Sequence, residues 1–205
     1  RHSGTGGRED YTGGDEVDTL DQACTAGLFT NLMWDGSLEA GNIVFENPFE
    51  WVEQTIDYIG KRPEKELIIK PHPAESLRGT NQGVTKYLEE QYDSLPENVR
   101  LLEPDIGVDP YKMIRSIDVG IVYTSTIGLE LTYHGVPTIT AALTHYRDLG
   151  ITLDPETKDQ YFDRLSELEA LKCDKEMKSK VAKYIDFLFN SKQVEFPFYT
   201  EEGTD

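Results

Sequence analysis

The stretch that decides the fold is Asp118-Val119-Gly120-Ile121-Val122-Tyr123-Thr124-Ser125-Thr126-Ile127-Gly128-Leu129-Glu130, continued through His134-Gly135-Val136-Pro137 to Thr138-Ile139-Thr140. The run at 118–123 is short and apolar, as a strand buried on both faces requires. Three hydroxyl residues follow. Thr126–Tyr133 then reads as a helix with Gly135 as its stop, and 137–140 as a second strand. A strand, a helix and a strand joined this tightly make a parallel pair with a crossover helix.

The same alternation extends in both directions. Leu28–Trp34 is a short apolar run suited to a strand. Asn47-Pro48 opens a helix, with Asn47 as cap, Pro48 in the first turn and Glu50 at the capping-box position. Phe49, Val52, Ile56 and Ile59 form its apolar stripe, and Gly60 with Pro63 ends it. Leu67–Lys70 is a strand stopped by Pro71-His72-Pro73. A helix over 84–92, a strand over 99–102 and a helix from Asp109-Pro110 through Ile117 complete the first half. Helices over about 156–171 and 174–190 close the chain. The expected class is α/β, a Rossmann-like parallel sheet with helices on both faces. Residues 1–26 read as a flexible, Gly-rich acidic arm, 27–192 as the domain, and 193–205 as an acidic tail.

Composition narrows the function. In 205 residues, 20 Lys plus Arg face 38 Asp plus Glu, for a net charge of −18. Such a chain repels polyanions, so nucleic acid is not an expected partner, and membrane association is at most peripheral. The charge fits either a well-solvated surface or a high-salt habitat. No apolar run approaches the roughly 18 residues of a membrane span, and Arg1–Gly14 has no apolar signal core. With two Cys, no CxxC and four His, neither a disulfide framework nor a structural zinc is expected. The Cys usage fits a reducing compartment, so a cytoplasmic location is expected.

In a parallel sheet of this kind ligands sit beyond the carboxyl ends of the strands, so the residues there carry the functional information. After the strand at 67–70, two prolines bracket His72 and fix its direction. An imidazole there can donate to a phosphate oxygen or protonate a leaving group, or simply bond a nearby carbonyl. Lys70 is a strand-end cation, and Arg78 follows a few residues on. After the strand at 118–123, Ser125 and Thr126 meet the start of a new helix, where free N–H groups favour an anion. Gly128 permits close approach there, and Glu130, one turn on, could accept from a ribose diol. Plain capping accounts for one of the hydroxyls. Asn31 and Asp35 end the first strand; Asp35 could act as a base or merely make an Asx turn with Gly36. His145, Tyr146 and Arg147 add a basic, aromatic edge, or form a surface loop.

Four residue sets carry a resemblance: Thr30-Asn31-Leu32-Met33-Trp34-Asp35, Lys70-Pro71-His72-Pro73, Tyr123 through Glu130, and His134-Gly135-Val136-Pro137 with His145-Tyr146-Arg147. Together, over roughly residues 28–170, they resemble the C-terminal half of GT-B-type capsule polysaccharide biosynthesis glycosyltransferases. More distantly they are similar to teichoic-acid glycerophosphotransferases and polysialyltransferases. The resemblance implies that this half binds a nucleotide-activated sugar. His72, Ser125 and Thr126 would contact the nucleotide phosphate, and Glu130 the ribose. Lys70 and Gly128 belong to the same phosphate set, His72 and Asp35 are the catalytic candidates, and Asn31, Arg78, His145, Tyr146 and Arg147 are candidate substrate contacts. It implies transfer without metal or cofactor to a glycan or lipid-linked acceptor, at the inner, cytoplasmic face of the membrane. It also implies a second Rossmann-like domain holding the acidic general base, supplied by an N-terminal partner domain or another chain. The alternatives are a GT-B-like UDP-sugar epimerase half and a non-catalytic nucleotide-binding module.

Overall fold

A computed structural model describes residues 24–32, 41–78, 83–104 and 110–191. Five strands form one sheet: β1 (Cys24–Phe29), β2 (Lys65–Lys70), β3 (Val99–Leu101), β4 (Val119–Val122) and β5 (Thr138–Thr140). Their order is β3-β2-β1-β4-β5, and every pairing is parallel. The chain steps outward from β1 to β3, then returns to the other side of β1 for β4 and β5. The topological switch therefore lies between β1 and β4, the place where such sheets open a crevice at their carboxyl ends.

The helices are α1 (Pro48–Ile59), α2 (Val84–Gln91), α3 (Pro110–Ser116), α4 (Ile127–Tyr133), α5 (Lys158–Ser166) and α6 (Lys175–Asp186), with a 3-10 turn at Pro73–Arg78 after β2. Strand residues alternate between the faces, as the pleat dictates. Ala26, Leu28, Leu67, Ile69, Val119 and Ile121 pack with side chains of α1, α2 and α5. Phe29, Ile68 and Val122 pack with Met113 and Ile114 of α3 and Leu131 of α4. On this second face the neighbours Gly27 and Gly120 are paired across β1 and β4. A Cβ on Gly27 would lie 2.7 Å from Ile117 Cδ1, and one on Gly120 2.6 Å from Leu131 Cδ1. The missing side chains let the α3 and α4 sides of the fold settle onto the sheet at the switch point.

Expectation and structure agree on the class and on the existence of each of these strands and helices. They differ at β1, which is Cys24–Phe29 rather than Leu28–Trp34. Cys24–Ala26, assigned to the arm, are thus the first half of the central strand; Met33 and Trp34 lie outside the described residues. Small residues disguised the strand, and at Gly27 packing by Ile117 requires the small residue. At α1, Asn47 Oδ1 accepts the Glu50 N–H at 2.9 Å, as expected. Glu50, however, reaches back to the Glu46 N–H at 2.7 Å, one residue beyond the capping-box partner. The buried face of α1 also includes Trp51 and Thr55. Trp51 Nε1 donates to the Tyr161 hydroxyl at 2.9 Å, and that hydroxyl lies 2.8 Å from Thr55 Oγ1, so the buried polar atoms satisfy one another.

Of the two terminal helices, α5 ends in a 3-10 turn at Leu168–Ala170, and α6 runs into a π-turn at Phe187–Ser191. α6 packs on α4 of its own domain through Val181, Tyr184, Ile185 and Leu129.

Candidate functional site at the carboxyl edge of the sheet

Three loops leave the carboxyl ends of β1, β2 and β4, and polar bonds tie them together. The Thr30 N–H extends the β1–β2 ladder by donating to Lys70 O at 3.1 Å. Thr30 Oγ1 accepts the His72 N–H at 3.2 Å. On the other side Asn31 Oδ1 accepts the Thr124 N–H at 3.3 Å. The two residues after β1 thus hold the His72 loop with one side chain and the Ser125 loop with the other. The sequence pointed to Asn31 as a substrate contact; its carboxamide oxygen is instead engaged by the backbone of the β4 loop. Thr30 lay within the quoted motif but had been given no role.

His72 is half-buried, with a proline on each side. Its Nδ1 accepts the Ala74 N–H at 3.2 Å, which assigns the ring proton to Nε2. Burial, aided by the charge of nearby Lys70, pushes the imidazole below its ordinary value of 6.5. At neutral pH it is therefore an uncharged ring that presents a single N–H donor. Lys70 supplies charge, but its Nζ is turned to Pro104 O at 2.9 Å and Glu103 O at 3.4 Å, where it holds the chain after β3.

Thr126 sits at the cap position of α4, yet its hydroxyl makes no capping bond. Ser125 Oγ accepts the Ile127 N–H at a long 3.4 Å. Capping therefore uses only the acceptor side of Ser125 Oγ, leaving its O–H as a donor, and does not engage the exposed Thr126 hydroxyl. Ser125 O accepts the Tyr146 hydroxyl at 2.5 Å and the Gly128 N–H at 3.3 Å. Gly128 is buried, and the Tyr146 hydroxyl occupies the space a Cβ there would need. Burial, and secondarily the charge of Asp154, raises the Tyr146 phenol far above its ordinary value, so it stays a protonated donor.

Glu130 is exposed one turn beyond Thr126. Both line a cleft of about 710 Å³ between α4 and the end of α6, shared with His145, Tyr133, Leu188 and Phe189. His145 is exposed and stacks on Tyr184 of α6, whose hydroxyl donates to His145 O at 2.7 Å. Tyr146 and Arg147 do not form the expected edge of the crevice, because both are buried. Arg147 Nη2 donates to Pro155 O at 2.5 Å, and Nη1 to Thr140 Oγ1 at 3.2 Å. Its guanidinium is spent on fixing the long connection from β5 to α5. Asp35 lies outside the described residues, as does the side chain of Arg78. Among the described residues no three His, Cys, Asp or Glu side chains group as a metal site.

Two further contacts were not foreseen. The Tyr123 hydroxyl donates to Asn42 Oδ1 at 2.6 Å, and the Leu143 N–H donates to Gly41 O at 2.7 Å. The segment before α1 is thereby fastened beside the ends of β4 and β5. Only the polar tip of an otherwise apolar strand hinted at it.

The model of the family described as capsule polysaccharide biosynthesis protein matches residues 41–199. The chain belongs to that family. Among solved structures it is similar to KpsC of Thermosulfurimonas dismutans, described as a beta Kdo 2,4 transferase. The identity is 18%, the TM-score 0.51, and the match covers 69% of this chain and 41% of that one. It is also similar to the spinosyn rhamnosyltransferase SpnG, at 14% identity and a TM-score of 0.50, over 82% of this chain and 42% of the other. At these identities the likeness is one of fold: this family member has the Rossmann-like architecture of one half of a GT-B protein. The chain spans about two fifths of the length of those structures. No curated protein matches it. No described helix is long and apolar enough to cross a membrane.

Proposed function

We propose that this family member is the donor-nucleotide-binding half of a glycosyltransferase that builds a capsule or other surface polysaccharide. The observation that carries the reading is the joint fixing of two donor-bearing loops at the β1–β4 switch point. Thr30 orients the His72 loop and Asn31 the Ser125 loop, and the His72 Nε2–H and the Thr126 hydroxyl are left over from that bonding and from capping. The donor nucleotide phosphate lies between the His72 Nε2–H and the hydroxyls of Ser125 and Thr126, and Glu130 accepts from the ribose. Fixed dipoles of this kind stabilise the negative charge that develops on a departing phosphate, with no metal needed for that step. The sugar passes to a glycan or lipid-linked acceptor at the cytoplasmic face of the membrane. The general base and the acceptor site are carried by a second Rossmann-like domain.

The test supplies that second domain, in a longer protein or as a partner, and follows a radiolabelled nucleotide sugar. Transfer to acceptor, lost in His72→Ala, supports the reading. Release of free epimerised sugar without transfer makes the chain an epimerase half. Tight nucleotide binding with no chemistry makes it a binding module.

A further inference from the structure

We propose that Tyr146 is a positioning residue of this site: from beneath the loop it sets the orientation of the Ser125–Thr126 peptide and so of the groups that meet the phosphate. The inference rests on the reading of that loop given above. Three observations bear on it. The Tyr146 hydroxyl donates to Ser125 O at 2.5 Å. The ring is fully buried, 0% exposed, so it meets no ligand itself. And residue 128 is glycine where the phenol passes, since a Cβ would strike the hydroxyl.

The consequence follows from peptide geometry. In a planar trans peptide the carbonyl and the next N–H point in opposite directions. Drawing Ser125 O down onto Tyr146 turns the Thr126 N–H, and the chain that carries the Thr126 hydroxyl, away from the core. Without the phenol hydroxyl, among the described residues the long 3.3 Å bond from the Gly128 N–H is left on that carbonyl, and the peptide plane is held less tightly. The neighbouring residue links this pin to α6, because His145 stacks on Tyr184 with ring centroids 5.7 Å apart.

Tyr146→Phe removes one oxygen and keeps the packing. In the ligand-free chain, amide hydrogen exchange at Thr126–Gly128 is expected to speed up by about tenfold, the worth of one hydrogen bond, while the amides of β1 and β4 stay protected. The ratio of nucleoside to nucleoside-diphosphate dissociation constants is expected to fall by a similar factor of about ten. Gly128→Ala should produce the same loss from the opposite side. The double variant should be no worse than either single one, because both break the same contact. A merely structural tyrosine would speed exchange through the whole core, weaken nucleoside and nucleotide equally, and give additive losses. If His72→Ala and Ser125→Ala weaken nucleotide binding but Tyr146→Phe changes neither exchange nor the ratio, the positioning role is wrong and the proposed function stands. If the unaltered chain shows no phosphate-dependent binding, the proposed function fails, and unchanged exchange at Thr126–Gly128 would overturn the positioning role separately.

Discussion

At the amino-terminal edge of the sheet, Asp118 Oδ2 takes the Thr25 N–H at 2.9 Å, and Thr25 Oγ1 donates to buried Glu66 at 3.3 Å. Arg100 closes the row with Nε 3.0 Å from Glu66 Oε1. Beside it Asn98 Nδ2 donates to the carbonyls of Ile59, Arg62 and Lys65. At the carboxyl edge the backbone is tied down just as firmly, by Thr30, Asn31 and Tyr146. But there the His72 Nε2–H and the hydroxyl of the exposed Thr126 take no part in that tying. Both edges are rich in polar side chains. One edge pairs them with each other, and the other uses some of them to aim the rest. Polarity alone therefore does not mark a site; donors left over from the structural bonds do.

That contrast can be broken first at the amino-terminal edge. Arg100→Ala leaves the Glu66 carboxylate buried without its cation, and should destabilise the fold by about 3–5 kcal/mol. Denaturant unfolding measures the loss, and nucleotide affinity at the far edge should be unchanged in the folded fraction. A loss of affinity there would show that the two edges are coupled. At the carboxyl edge the pattern should invert. His72→Ala should weaken nucleotide binding by about 1–3 kcal/mol, the range for a hydrogen bond to a charged group, with little change in the unfolding midpoint. Ser125→Ala should weaken phosphate-bearing ligands by about tenfold and leave the bare nucleoside nearly untouched. Equal losses for both would move Ser125 away from the phosphate.

The smallest expected effect is on pH. The folded-state value of His72 lies below its ordinary 6.5, chiefly through burial. Between those two values the unfolded chain binds more protons, so stability is full above about pH 6.5 and falls as the pH drops through the lowered value. The same protonation places positive charge beside the phosphate and tightens binding of a nucleoside diphosphate over that window. In His72→Ala both slopes should flatten over that interval, as read by unfolding curves and titrations at stepped pH.

The alternation of short apolar runs with capped helices displayed the parallel sheet, because strands buried on both faces have no polar alternation to confuse them. What hid was β1's start. Gly27 must be small because Ile117 packs against it, and a constraint imposed by a neighbour leaves no periodic trace. The candidate site divides in the same way. His72 was legible because two prolines flank it, and Ser125–Thr126 because three hydroxyls follow a strand. The inward turn of Arg147 onto Pro155 O, the engagement of Lys70 by Pro104 O and the Tyr146–Ser125 bond are long-range contacts. Sequence can show that a charged or aromatic residue follows a strand, but tertiary packing decides which way it faces.

The central claim is that the donors of His72, Ser125 and Thr126 at the carboxyl edge hold a nucleotide phosphate. Calorimetric titration of the chain with CMP, CDP, UDP and GDP, at low and at molar salt, tests it most directly. The account predicts that one of these binds with an affinity well above that of its nucleoside, and that His72→Ala removes most of the difference. Affinity that is the same with and without phosphate, or untouched by His72→Ala, would contradict it.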